Sequence, residues 1–305
     1  MYVCMSSTHL CIDYIRNDLN IYMILTDVTG QFHHRFLHGF TNVYCNVTNV
    51  VARVYPRHLS DKDLESRPSI LVNAHFDSFV TSPGASDDGV GVAAMLEVIR
   101  AFANDRSMVK RYPVIFLFNG AEENNQQASH GFITQHPWSK TVRAMINLEA
   151  IGTGGRELVF QCNSHWLASM YTKYVPYPSI SVLAHEFFKH VLWRVAYTDW
   201  ATFIEYGRPG IVGIDSAYTD NGYVYHTPSD VEKYIPDRTI QHTGVNLLSM
   251  LKALQLPSSD VNGNEVDGDG RATHTGTSPS FESYNHMDAS EDMRQAEADL
   301  YANYR

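Results

Sequence analysis

The sequence predicts an α/β fold, a largely parallel mixed sheet flanked by helices in a single domain. Two observations predict it. Short apolar runs of strand length alternate with longer segments at helical spacing. Acidic residues and histidines also recur just past the ends of the apolar runs, where open α/β sheets gather their ligands.

Residues 1–40 have mixed patterning, with histidines at His33, His34 and His38, and yield no clear element. From Asn42 to Tyr55 the β-branched Val43, Val47, Thr48, Val50, Val51 and Val54 predict a strand. Ser69–Ala74 is an apolar run typical of a buried strand. In "ASDDGVGVAAMLEVIRAFA", polar Ser/Asp/Asp precedes Val92, Met95, Leu96, Ile99 and Phe102 at helical spacing, so a helix begins near Asp88. Pro113–Phe118 reads as a strand and Ala128–His136 as part of the following helix. Ala144–Leu148 is a further strand running into Glu149, and Glu157–Phe160 and Pro209–Ile214 are two more. Thr239–Leu254 is amphipathic and closes the body as a helix. The domain is therefore expected over 41–256, with 257–305 as an acidic, disordered tail too poor in aliphatic residues to offset ordering. Within that tail, Glu265 stands where a calcium loop needs its turn glycine and Arg271 where it needs a bidentate glutamate, which excludes such a site.

A chain of 305 residues can bury one large α/β core, and 44% hydrophobic with 18% charged residues is ordinary for a globular protein. The net charge of −10 is concentrated in the tail, where ten acids face three arginines. The nearly neutral body that remains argues against a nucleic-acid partner. Four cysteines (Cys4, Cys11, Cys45, Cys162) are too few and too scattered for a disulfide scaffold or a cysteine zinc site, although one disulfide among the first three is compatible with their placement. No apolar run approaches membrane-span length, and the start lacks a signal-peptide pattern. Asn46-Val47-Thr48 is an N-glycosylation acceptor.

Chemistry concentrates at the predicted strand ends. "NAHFDS" places His75 after the Ile70–Ala74 run with Asp77 two residues on, where its carboxylate is expected to take a hydrogen bond from the imidazole. Taken singly, His75 suits a structural role, Asp87 and Asp88 suit helix capping, and Glu122 and Glu123 suit a helix N-terminus. Together with Glu149 and His226 they make another pattern. His75, Asp87, Glu123, Glu149 and His226 comprise two imidazoles and three carboxylates, enough to give two zinc ions three ligands each if one carboxylate bridges. Adjacent carboxylates repel unless a cation lies between them, and one member of the doublet is left as general base.

The motifs "HFDS", "SPGASDDG", "FLFNGAEEN", "INLEA" and "YHTPSD", in that order, resemble the co-catalytic zinc peptidase family that includes secreted aminopeptidases, glutamate carboxypeptidases and glutaminyl cyclases. "ASHGFITQHPW" and "ELVFQ" are similar to its endoplasmic-reticulum metallopeptidase branch, and the likeness covers roughly residues 38–255. The resemblance implies a zinc exopeptidase-like fold and two Zn2+ per chain. Asp87 would be the bridge, His75 and Glu149 would complete one site, and Glu123 and His226 the other. Glu122 would be the general base on a zinc-bound water, with Asp77 beside His75. It also implies a cis Asp87–Asp88 peptide. Where some relatives carry an oxyanion-steadying tyrosine, "RVAYTDWATF" places Val195, with Arg194 and Tyr197 nearby. The implied activity is hydrolysis of a peptide or protein substrate, foremost as an aminopeptidase. A glutaminyl cyclase-like acyltransferase and a non-catalytic peptidase-like ectodomain are the alternatives. The same resemblance implies an endoplasmic-reticulum lumenal domain, or else a secreted one. Membrane association would then require a native chain extended by an anchor.

Overall fold

The computed structural model describes residues 2–6, 9–16, 19–35, 39–192 and 196–256, the first two stretches as backbone only. Among these residues one sheet contains β1 Tyr2–Ser6, β2 His9–Arg16, β3 Leu19–His34, β4 Phe40–Pro56, β5 Ser69–His75, β6 Val114–Asn119, β7 Val142–Ala150, β8 Leu158–Cys162 and β9 Val212–Tyr218. Their spatial order is β1-β2-β3-β4-β6-β5-β7-β9-β8. Parallel pairing is confined to the central β6, β5, β7 and β9. Antiparallel strands extend the sheet on both sides, so it is mixed, as expected, with its parallel part in the middle.

The helices are α1 Asp61–Ser66, α2 Gly89–Asn104, α3 Gln127–Gln135, α4 His165–Tyr174, α5 Val182–Phe187, α6 Asp199–Tyr206 and α7 Asp237–Leu254. They cover both faces of the central strands, which is why β5, β6 and β7 are buried at every position and read as largely apolar runs. Alternation along β5 divides the core. Ile70, Val72 and Ala74 meet Met95, Val98 and Phe102 of α2 and Leu247, Met250, Leu251 and Leu254 of α7. Leu71 joins Ile115, Leu117 and Met145 against Phe132 and Ile133 of α3 and Phe203 of α6. Phe102 and Phe203 are wholly buried, each stabilising the fold by roughly 2–3 kcal/mol of apolar transfer.

Local chemistry fixes the element ends nearest the strand tips. Asp88 caps α2, its carboxylate accepting from the Gly91 N–H at 3.2 Å. At the far end of the molecule, the Gln255 side-chain oxygen accepts from Arg111 and Tyr112 N–H at 2.8 and 2.9 Å, and its amide donates to the Tyr112 carbonyl at 2.9 Å. That clip ties the end of α7 to the approach to β6.

The stretch 1–40, which yields no clear element from sequence, contributes β1, β2 and β3 to the same sheet. The long β3/β4 ladder is interrupted by a register shift between Val28 and Gly30. The expected tail, 257–305, lies outside the described residues, as do Arg194 and Val195. Cys45 and Cys162 are free thiols, and the side chains of Cys4 and Cys11 lie outside the described residues.

Candidate metal centre

The carboxyl ends of the parallel strands converge on one place. His75 is the last residue of β5, opposite Asn119 at the end of β6. The turn after β6 carries Glu122 and Glu123. It starts at Gly120, where an added Cβ would meet the Thr48 carbonyl oxygen and the Phe76 ring at 2.5 Å. Glu149 is the penultimate residue of β7. Asp87 lies just before α2, joined to Asp88 by a cis peptide. His226, at φ 57°, lies in the loop after β9.

Asp87 stands between the two imidazoles. His75 Nε2 is 3.3 Å from Asp87 Oδ1 and 3.6 Å from Glu149 Oε2. His226 Nε2 is 3.2 Å from both Asp87 Oδ2 and Glu123 Oε1. His75, Asp87 and Glu149 thus form one candidate metal triad, and Asp87, Glu123 and His226 the other. Ligand atoms around a tetrahedral zinc at ~2.0–2.2 Å lie roughly 3.3–3.6 Å apart, so this spacing fits the ion. The hydrogen-bond inventory fits as well. His75 Nε2 and Glu123 Oε1 are buried without a hydrogen-bond partner, as atoms reserved for a cation would be. His75 Nδ1 donates to the Asp77 carbonyl oxygen at 2.9 Å, which leaves the Nε2 lone pair facing the triad.

That last contact corrects one expectation. The ring is held by the main-chain carbonyl of Asp77 rather than by its carboxylate, whose Oδ1 stands 3.6 Å from Nδ1. The carboxylate is engaged elsewhere, accepting the N–H groups of Glu122 and Glu123 at 3.1 Å each and so fixing the doublet's backbone. Asp230, fully buried, does the same for the Asp87 loop. It accepts from Ser86 N–H at 2.8 Å, Ser86 hydroxyl at 2.6 Å and Asp87 N–H at 3.2 Å. The His226 ring is stacked between Phe79 and Tyr225, with centroids at 4.3 and 3.7 Å.

Beneath the cluster lies a polar network that sequence reading missed. Asn73 donates to Asn147 at 2.7 Å and to Asp199 at 2.9 Å, and Asn119 donates to Asn73 at 3.0 Å. Asn147 in turn reaches Glu149 at 3.1 Å and Asp215 at 3.0 Å. The signal was available: "ILVNAH", "FLFNG" and "MINLEA" each carry an asparagine late in an apolar strand. Buried amides persist only when bonded, so three near the ends of neighbouring buried strands mark a shared polar network.

Electrostatics follow from packing acids together out of water. Burial, reinforced by neighbouring carboxylates, holds Glu122 and Asp88 well above the usual carboxylate range and lifts Glu149 to about 8. Burial opposes charge on the histidines, but Asp87 and the adjacent acids outweigh it. His75 rises well above its ordinary value, and His226 rises to about 9. Asp87, flanked by both imidazoles, is lowered despite its burial. Protons occupy this cluster when no metal does.

A pocket of about 610 Å³ opens over these groups, walled by Ile151, Phe160, Phe187, Phe188, Leu192, Tyr197 and Tyr225.

The model of "Peptidase family M28" matches residues 49–251. The chain is 46% identical over 247 residues to endoplasmic reticulum metallopeptidase 1 of Homo sapiens, covering 79% of this chain and 26% of that protein. It therefore spans about a quarter of the length of that relative. Among solved structures, BSAP, a zinc aminopeptidase from Bacillus subtilis, superposes with a TM-score of 0.52 at 22% identity, covering 70% of this chain and 52% of that one. A glutaminyl cyclase from an Acidobacteriales bacterium gives 0.51 at 17% identity, covering 73% and 78%. These two share the fold.

Glu149 at about 8 and His226 at about 9 both carry a proton at pH 7 in the metal-free protein. Zinc must displace those protons, so its affinity is expected to rise with pH up to about 9. Calorimetric titration of zinc at pH 7, in buffers of different ionisation enthalpy, should show net proton release that shrinks toward pH 9.5. A heat independent of buffer would rule this cluster out as the zinc site.

Proposed function

The chain belongs to peptidase family M28, and from that membership we propose that it is a two-zinc metallopeptidase, an aminopeptidase, with Glu122 as its general base. The observation that carries the reading is the pair of three-ligand clusters sharing Asp87, with a further buried carboxylate, Glu122, lining the pocket outside both. His75 and Glu149 would hold one zinc with Asp87, and Glu123 and His226 the other. Bound zinc would supply Lewis acidity toward water and the scissile carbonyl.

The protein's own groups do the rest. Glu122 takes a proton from the attacking water and returns it to the leaving amine. Its burial, which raises its proton affinity, suits a group that must hold a proton between those two steps. Asp77 keeps Glu122 and Glu123 at fixed positions through their N–H groups, so that one faces metal and the other water. Tyr225 is held neutral by burial among acids and can only present its hydroxyl.

Polarity of the pocket favours the amino end of a peptide. Among its described lining residues there is no arginine or lysine to pair with a substrate carboxylate. The carboxylates on this wall, Asp87, Glu122, Glu123 and Glu149, would repel a substrate carboxylate wherever zinc does not neutralise them. The aromatic and aliphatic wall suits a hydrophobic side chain. Since the same fold serves an aminopeptidase and a glutaminyl cyclase, fold does not choose between the reactions. The 46% identity to a metallopeptidase supports the hydrolytic reading. Five ligand positions and a base, all filled, weigh against a non-catalytic ectodomain.

We further propose a lumenal location in the endoplasmic reticulum, as the name of the human relative suggests. No described helix is long and apolar enough to cross a membrane. Asn46 is exposed on β4 at the register shift, where a glycan can be accommodated.

Glu122→Gln should retain zinc and lower kcat by about 10²–10⁴, whereas Glu123→Gln should lose metal. Peptides with a free N-terminus should be cleaved and N-acetylated ones spared. An active Glu122→Gln enzyme, or cleavage indifferent to N-blocking, would contradict the base and the aminopeptidase reading respectively. Expressed in eukaryotic cells from its full native transcript, the protein should shift on endoglycosidase treatment and Asn46→Gln should not. An unshifted wild type would contradict the lumenal location.

A further inference from the structure

Glu122 does not stand alone in the wall of the pocket. The side-chain amide of Gln126 donates to Glu122 Oε1 at 2.7 Å, and Gln126 Oε1 lies 2.7 Å from His34 Nε2. Gln126 is 4% exposed, His34 4% and Glu122 8%. We propose that Gln126 is a positioning residue that fixes the carboxylate of Glu122, with His34 holding Gln126 in the orientation that does so. The inference rests on the reading of Glu122 as general base.

With Glu122 ionised, as a general base must be, hydrogen-bond chemistry permits one polarity along this chain of contacts. A carboxylate accepts only, so the amide NH2 of Gln126 must face Glu122 and its oxygen must face His34. His34 Nε2 must then carry the hydrogen. With one oxygen tied to Gln126, Glu122 offers water the other oxygen alone, and its rotamer cannot swing away from the cavity.

The backbone is built for the contact. Asn125 and Gln126 both adopt left-handed conformations, at φ 65° and 58°, which non-glycine residues seldom do without support from their surroundings. Support comes from β4, where the Asn42 side chain donates to the carbonyls of Asn124 and Asn125 at 3.2 and 2.9 Å. Gln126 is also the N-cap residue of α3, yet its side chain makes no capping bond to that helix. It turns back toward Glu122 instead. The contact from His34 comes from the end of β3, so the N-terminal part of the sheet reaches the site through this relay.

Gln126→Met keeps length and volume but removes the donor. Loss of such an outer partner typically costs 10–100-fold. The expected result is a kcat at least tenfold lower with KM, zinc content and melting temperature near wild type. In a Glu122→Gln background the same substitution should have no further effect, since Gln126 acts through that carboxylate. His34→Phe leaves Gln126 in place and should lower kcat by a smaller factor with KM unchanged, which keeps the test open if Gln126→Met does not fold. A Gln126→Met or His34→Phe enzyme with wild-type kcat, or one whose loss lies in KM or zinc content, would overturn the positioning role while an inactive Glu122→Gln leaves the base reading standing. If Glu122→Gln itself were active, the base reading would fail and this inference with it.

Discussion

Repulsion among buried carboxylates is the constraint on which the rest of the structure depends. Asp87, Asp88, Glu122 and Glu149 are each less than a tenth exposed, and Glu123 stands beside them with a buried, unbonded oxygen. Removing so many acids from water raises their proton affinities, and only cations or protons can offset that cost. His75 and His226 are interleaved between the acids, and Asp87 between the histidines, so that no carboxylate is far from a group able to carry positive charge. The unbonded atoms point to where a divalent ion would do this better than protons can.

A cluster of this kind would relax apart unless held from behind, and the fold supplies the restraint in layers. Asp77 ties down the Glu122–Glu123 backbone, and Asp230 ties down the Asp87 loop from the segment that also carries His226. Below them the Asn73, Asn119 and Asn147 amides cross-link β5, β6 and β7 at the level where those strands release their chains into the site. The apolar core beneath is continuous on both faces of the sheet, which gives these polar restraints a rigid base. Stability is thus concentrated below the strand ends and chemistry above them.

How much of this is legible in the sequence depends on where each residue's partner lies. β4 can be read from its β-branched residues, β5 to β9 because buried strands are largely apolar runs, and α2, α3 and α7 because helices repeat their apolar face. β3 hides because its burial alternates irregularly across an antiparallel ladder with a register shift. α5 hides because it has no buried residue to mark a period. His75, Glu122, Glu123 and Glu149 stand out because each lies at the end of an apolar run, whereas Asp87 and His226 lie in polar turns and stand out only through the motifs around them. The carboxylate of Asp77 and the side chains of Asp230 and Gln126 act on groups that are distant in sequence or reached only through left-handed turns, and no spacing rule announces them.

The central claim is that Asp87 joins two zinc sites. Diffraction from crystals of the zinc-loaded protein, collected on either side of the zinc absorption edge, tests it most directly. The account predicts two anomalous peaks roughly 3.5–4 Å apart, with the Asp87 carboxylate between them. A single peak, or two peaks that do not share Asp87, would contradict it.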